Sequence, residues 1–220
     1  MIKKREHKLM VAEFESALRS TNRDGIEELI KWIQSTDFYI APARTAHGCA
    51  YPGGLLKHSL NVYHLLLHKL SPRPGSVWKG ISTDPDISSD SIVIVSLLHD
   101  LCKTGLFRVE KFNKKTYDPE KIKKANSWDV KKDRDGLFVW ESVPGYKIDE
   151  KIPLGYGEKS VILALKYIRL TDSEIYAIRW HRGALDTDSN REIGDVFANV
   201  PLALALYEAD LEATFILDAQ

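Results

Sequence analysis

The feature that most constrains this chain is the run Ser91-Ile-Val-Ile-Val-Ser-Leu-Leu-His-Asp-Leu-Cys102. It is apolar at nearly every position yet carries a histidine and an aspartate side by side. A helix that is apolar all round is surrounded by protein. The rest of the chain must therefore build a shell around it and supply partners for the two polar side chains. A buried carboxylate costs several kcal/mol (roughly) unless it is paired or coordinates a metal. Lys103 lies four residues after His99 and three after Asp100, a spacing that puts all three on one helical face. Neighbouring positions point about 100° apart on a helix, so His99 and Asp100 can still meet at one ion lying over the groove between them. Two readings are open: a core histidine beside an Asp100–Lys103 ion pair, or a metal site with a cation placed for a phosphoryl oxygen.

The flanking sequence supplies the shell. Apolar positions recur at helical spacing over 8–20 and again over 25–34 after the polar TNRDG break. Residues 38–54 read as a loop with two prolines and three glycines. A helix is expected from Leu55 to about Leu70, stopped by a SPRPG turn, and a polar loop over 82–90 precedes the apolar run. Over 107–152 lysines, aromatics and β-branched residues alternate around Asp135-Gly136, which predicts a small β-hairpin insertion. Helical signals resume over 158–168. Thr171-Asp-Ser-Glu174 is a capping box, and Pro201 suits the first turn of a last helix. The expectation is one mostly α domain over 1–220: helices at 1–36, then a helical core at 38–214 carrying the β insertion.

Charge narrows the function classes. Thirty-one basic residues balance thirty-one acidic ones, so the whole molecule is no electrostatic trap for nucleic acid or membrane. Phosphate must be handled by local groups. No apolar stretch approaches the ~18 residues of a membrane span, and the charged N-terminus lacks the apolar centre of a signal peptide. The two cysteines, Cys49 and Cys102, fit no zinc or thioredoxin spacing. One disulfide is open to them, but free thiols in a reducing, cytoplasmic setting are expected.

Three stretches carry a family resemblance: GGLLKHSLNVY with His58 after a Gly-Gly turn, LLHDLCKTGLF, and YEADL near the C-terminus. In this order they resemble the HD superfamily of metal-dependent phosphohydrolases. APARTAHGCAYPGGLLKHS, PLGYGEKS and AIRWHRG are similar to stretches of a small bacterial subgroup. The resemblance runs from about His47 to Asp210. It implies a helical fold in which His58, His99, Asp100 and Asp210 ligate one divalent ion. Nitrogen and oxygen ligands without thiolates suit Mn, Fe, Ni, Zn or Mg. Relatives with two metals carry extra histidines. His181 fits one such position, while the other holds Tyr156, a poor ligand with a pKa of about 10, which argues for one ion.

Several further residues are candidates for substrate contact. His181 is a ligand, a proton donor to the leaving oxygen, or a structural residue among Arg179, Trp180 and Arg182. His47 is expected to face the pocket. Lys159, after the glycines of Gly155-Tyr-Gly157, lies at a helix start that is either an anion site or only a tight turn. Glu158 shares that turn as a candidate acid or base, and Arg179 is either a phosphate contact or a structural cation at a helix end. Residues 111–134 hold nine Lys/Arg against four Asp/Glu, interleaved with aromatics, as either a solvated face or a lid. The expected activity is hydrolysis of a phosphoester or phosphoanhydride in a nucleotide-like molecule, with Asp100, Lys103 and His181 in catalysis. The alternatives are a single-strand exonuclease-type phosphodiesterase, with nucleic acid as the partner, and a non-catalytic nucleotide-binding regulatory module.

Overall fold

The apolar run forms the centre of the fold, because both halves of the core pack on it. The computed structural model describes residues 2–71, 76–78, 87–150, 153–183 and 190–219. The chain is mostly α. The described helices are α1 (Lys4–Ser20), α2 (Ile26–Gln34), α3 (Gly54–Leu70), α4 (Ser89–Leu98), α5 (Pro119–Lys124), α6 (Tyr156–Leu165), α7 (Asp172–Trp180), α8 (Asn190–Asn199) and α9 (Pro201–Glu212). The expected SPRPG turn past Ser71 and residues 82–86 of the expected polar loop lie outside the described residues.

Every residue of α4 from Ser91 to Leu98 is buried. Val93, Ile94, Leu97 and Leu98 enter one apolar cluster with α1, α2 and the first half of α3. Ile92 and Val95 enter a second, with the later part of α3, α7 and α9. Each fully buried aliphatic side chain contributes about 1.5–3 kcal/mol, so α4 joins the two halves through its whole circumference. Its few polar groups are satisfied locally: Ser88 caps the Ser91 N–H at 3.0 Å, and Ser96 donates to the Ile92 carbonyl at 2.6 Å.

One expectation needs correction here. The helix stops at Leu98, so His99–Asp100 sits at its C-terminal end rather than inside it. Asp100 has left helical geometry (φ −106°, ψ 20°), and a short 3₁₀ turn, Leu101–Lys103, follows. Gly105, at φ +65°, then redirects the chain into the sheet. The Asp100–Lys103 pairing survives because a 3₁₀ turn brings residues i and i+3 into line.

The insertion is a three-stranded antiparallel sheet of β1 (Phe107–Thr116), β2 (Lys131–Asp133) and β3 (Gly136–Ile148) in the order β1-β3-β2. The expected Asp135-Gly136 turn is present, with Asp133 opposite Gly136. The long pairing, however, is β1 with β3, from Phe107↔Ile148 to Thr116↔Val139. Helix α5 and helix α8 were not anticipated. Helix α5 is only six residues long with no buried position, so it lacks an apolar stripe to read.

Two sequence signals place α3 and α7 as expected. Gly53 stands at φ +85° as the N-cap of α3, and a Cβ on Gly54 would lie 2.0 Å from the Cys49 carbonyl oxygen. Only glycine fits both places, and His58 follows one turn later. The capping box at Thr171 is formed, and the fully buried Glu174 carboxylate also takes the Arg23 guanidinium. That pair ties the α1–α2 turn to α7. No helix among the described residues is long and apolar enough to cross a membrane.

Candidate metal centre

Four elements bring His58 (α3), His99 and Asp100 (end of α4), His181 (end of α7) and Asp210 (α9) to one point. The three histidines and Asp100 are 0–2% exposed, so every polar atom among them needs a partner inside the protein. The His99 Nδ1–H donates to the Ser96 carbonyl at 2.8 Å, and the His181 Nδ1–H to the Ile178 carbonyl at 2.7 Å. The His58 Nδ1–H donates to the Asp218 carboxylate at 2.7 Å. Carbonyl and carboxylate oxygens only accept, so each ring carries its proton on Nδ1 and turns Nε2 inward.

The inward nitrogens meet carboxylates. His58 Nε2 is 3.1 Å from Asp210 Oδ1 and 3.4 Å from Asp100 Oδ2. His99 Nε2 lies 3.4 Å from Asp100 Oδ2, and His181 Nε2 is 3.6 Å from Asp100 Oδ1. His58 Nε2 and His99 Nε2 are only 3.3 Å apart. Two lone pairs at that distance repel unless a proton or a cation lies between them. Two overlapping groups, His58–His99–Asp210 and His99–Asp100–His181, each converge closely enough to hold a metal ion. Buried imidazoles fixed by an Nδ1–H bond are the usual metal-ligand arrangement, and the donor set fits a divalent ion.

The charges are strongly coupled. Burial alone would push the His58 imidazole down, but hydrogen bonds to Asp210 and Asp218 outweigh it and carry it up to about 9. Burial lowers His99. Burial also works against the Asp100 carboxylate, yet Lys103 and His99 hold it well below the usual carboxylate range. Asp210 is likewise held down by His58 against its own burial. Burial opposes the Lys103 ammonium, but Asp100, 2.6 Å from its Nζ, raises its pKa. The proton on His58 thus sits where a bound cation would put its charge.

Beside this cluster is a cavity of about 260 Å³. Asp100, Asp210 and His181 form part of its wall, with Lys103, Arg44 and Arg182 as cations and Phe107, Ile148 and Tyr156 as apolar surface. Arg182 lies over the Tyr156 ring at 4.4 Å. A larger open depression, about 690 Å³ between Arg23 and residues 165–171, touches neither of the two groups, and its Arg23 is committed to Glu174.

The structure brings together His58, His99, Asp100, Lys103, His181 and Asp210, and it leaves other expected contacts apart. His47 is exposed at φ +59° and does not line the cavity; Arg44 and Thr45 of the same loop do. Lys159 is paired with Glu150 at 2.9 Å. Arg179 is paired with Glu158 at 2.5 Å and stacks on Trp180. A Cβ on Gly157 would lie 2.1 Å from the Arg179 carbonyl oxygen, so that glycine serves the close packing of α6 on α7. Tyr156 lines the cavity, with the Arg182 guanidinium over its ring. His7 contacts the Tyr39 carbonyl and His64 contacts Glu13, both away from the centre.

Sequence reasoning missed Asp218, Asn61, Thr214 and Arg44. Asn61 follows His58 by three positions, and Thr214 and Asp218 follow Asp210 by four and eight, but those spacings do not say that the two sets meet; the return of α9 onto α3 decides it. The chain matches no protein-family model, no curated protein and no solved structure.

Proposed function

We propose that this chain is a metal-dependent phosphohydrolase of the HD type, acting on a phosphoester or phosphoanhydride in a small nucleotide-like molecule. The observation that carries the reading is the convergence of three inward imidazole nitrogens and two carboxylates at the wall of a cavity lined by Lys103, Arg44 and Arg182. His58, His99, Asp100 and Asp210 would hold one divalent ion, with His181 beside Asp100. Such an ion supplies Lewis-acid polarisation of a phosphoryl oxygen and lowers the pKa of a water.

The chain's own groups do the rest. Lys103 is fixed by Asp100 so that its ammonium stays charged, and it is placed to stabilise negative charge gathering on phosphoryl oxygens. Arg44 and Arg182 add charge at the cavity wall, and Phe107, Ile148 and Tyr156 offer apolar surface to a ring. His181, held by the Ile178 carbonyl, keeps Nε2 toward the cavity, where it can hold a proton for a leaving oxygen.

An exonuclease-type reading draws on one observation. Phe107, Val109, Lys111 and Lys115 on β1 share a sheet face with Ile148, Tyr146 and Trp140 on β3, and that face begins at the cavity. The charge balance disfavours it. Over residues 107–150 eleven basic side chains face nine acidic ones, and Lys115, Lys121 and Lys147 are paired with Asp133, Glu141 and Glu110.

Metal analysis and a phosphatase screen of the wild type, His99→Ala and Asp100→Ala test the proposal. The wild type is expected to carry metal and turn over a phosphomonoester or nucleotide, and both variants to lose each property. Full metal occupancy in both variants would refute it. Turnover of a labelled single strand with a steep salt dependence would move the reading to the exonuclease.

A further inference from the structure

We infer that Asp218, in the last turn of the described chain, is a positioning residue for the metal centre, acting through His58; this rests on the metal-centre reading proposed above. Asp218 is only 3% exposed although it lies near the end of the sequence. One carboxylate oxygen accepts the His58 Nδ1–H at 2.7 Å, and the other accepts the Asn61 amide at 2.8 Å. A carboxylate behind a ligating imidazole fixes the ring's proton on the outer nitrogen, sets the ring plane and raises the basicity of the inner nitrogen. His99 and His181 have only backbone carbonyls in that position. His58 is therefore the one of the three imidazoles whose outer partner is charged.

The backbone is shaped for this contact. Helix α9 does not continue in α register but opens into a single π turn, Ala213–Leu217, closed by the Asp218 N–H donating to the Ala213 carbonyl at 2.8 Å. In unbroken α register Asp218 would lie about 80° around the axis from Asp210, eight residues earlier. The wider turn brings it back toward the side of Asp210 and Thr214, and π turns inside helices occur often at functional sites. A closed circuit results. His58 meets Asp210 at 3.1 Å, Thr214 donates to Asp210 at 3.4 Å, and Arg44 donates to Thr214 at 3.1 Å. Arg44 then lies 3.7 Å from Asp218, which returns to His58. Two proposed ligands on different helices are thereby held in one frame by three residues that touch no ion themselves.

Mn²⁺ affinity of the full chain, measured by calorimetry and by the electron paramagnetic resonance of the bound ion, tests the inference. Asp218→Ala is expected to bind Mn²⁺ about 10–100-fold more weakly than wild type, and Asp218→Asn, which keeps the shape and an acceptor, to fall between them. Leu29→Ala, a core variant away from the centre, separates loss of fold from loss of positioning. It is expected to lower the melting temperature while leaving Mn²⁺ affinity unchanged. If Asp218→Ala does not fold, Asp218→Asn decides. Wild-type affinity in the deciding Asp218 variant, with Mn²⁺ lost in His99→Ala, overturns the role of Asp218 and leaves the metal centre standing. No Mn²⁺ binding by the wild type overturns both.

Discussion

Raising the pH of the metal-free protein should destabilise it through His58. In the folded chain this imidazole is carried up to about 9 by Asp210 and Asp218, against 6.5 for a free histidine. Its stabilisation is therefore fully present below pH 6.5 and is lost as pH rises through 9. At about 1.4 kcal/mol per unit, the interval amounts to about 3 kcal/mol, a large share of a typical domain's stability. His99 works in the opposite sense. Its lowered pKa means that the unfolded chain takes a proton first as pH falls below 6.5, which costs stability on the acid side. The metal-free protein should thus be most stable near pH 6.5. The assay is urea unfolding followed by tryptophan fluorescence, in chelator, at half-unit steps between pH 6 and 9, with His58→Gln as the control that flattens the alkaline slope. Constant or rising stability between pH 6.5 and 9 in the wild type would refute the coupling of His58 to its two carboxylates.

Lys103→Met should keep metal occupancy but lower kcat/KM on a phosphate substrate by about 100-fold, read from steady-state kinetics beside metal analysis. An unchanged rate would remove Lys103 from catalysis. Leu97→Ala should cost about 2–5 kcal/mol in urea unfolding, because Leu97 is fully buried in the cluster that α4 shares with α1 and α3. A loss below about 1 kcal/mol would show that α4 is not the central helix. Burial pushes the Cys49 thiol up to about 11 and Cys102 up to about 12. Neither should react with iodoacetamide at pH 8 until urea unfolds the chain, when mass spectrometry should find both modified.

The family resemblance alone marked His58, His181 and Asp210, whereas the residues themselves determined the helical class, the placement of α3, α4, α7 and α9, and the His99–Asp100 pair. Those features rest on short-range physics. A run apolar all round must be buried, Gly53-Gly54 permits one sharp entry into α3, and Thr171 with Glu174 caps α7. His99 and Asp100 were legible because burial makes a histidine beside a carboxylate costly without a partner. The end of α4 at Leu98 was not legible, since the apolar pattern continues through Leu101 and Cys102 while the backbone turns. Nor was the β1–β3 pairing, which joins segments separated by α5 and β2. Tertiary structure alone decided which polar residues face the cavity. His47 turned outward while Arg44 turned in; Lys159 and Arg179 found carboxylates nearby instead of a ligand. Asp218 meets His58 across 160 positions only because α9 packs on α3 and its end opens into a π turn. Local periodicity records which face of a helix is buried. It does not record which other helix will lie against that face, and the candidate metal centre is made of those meetings.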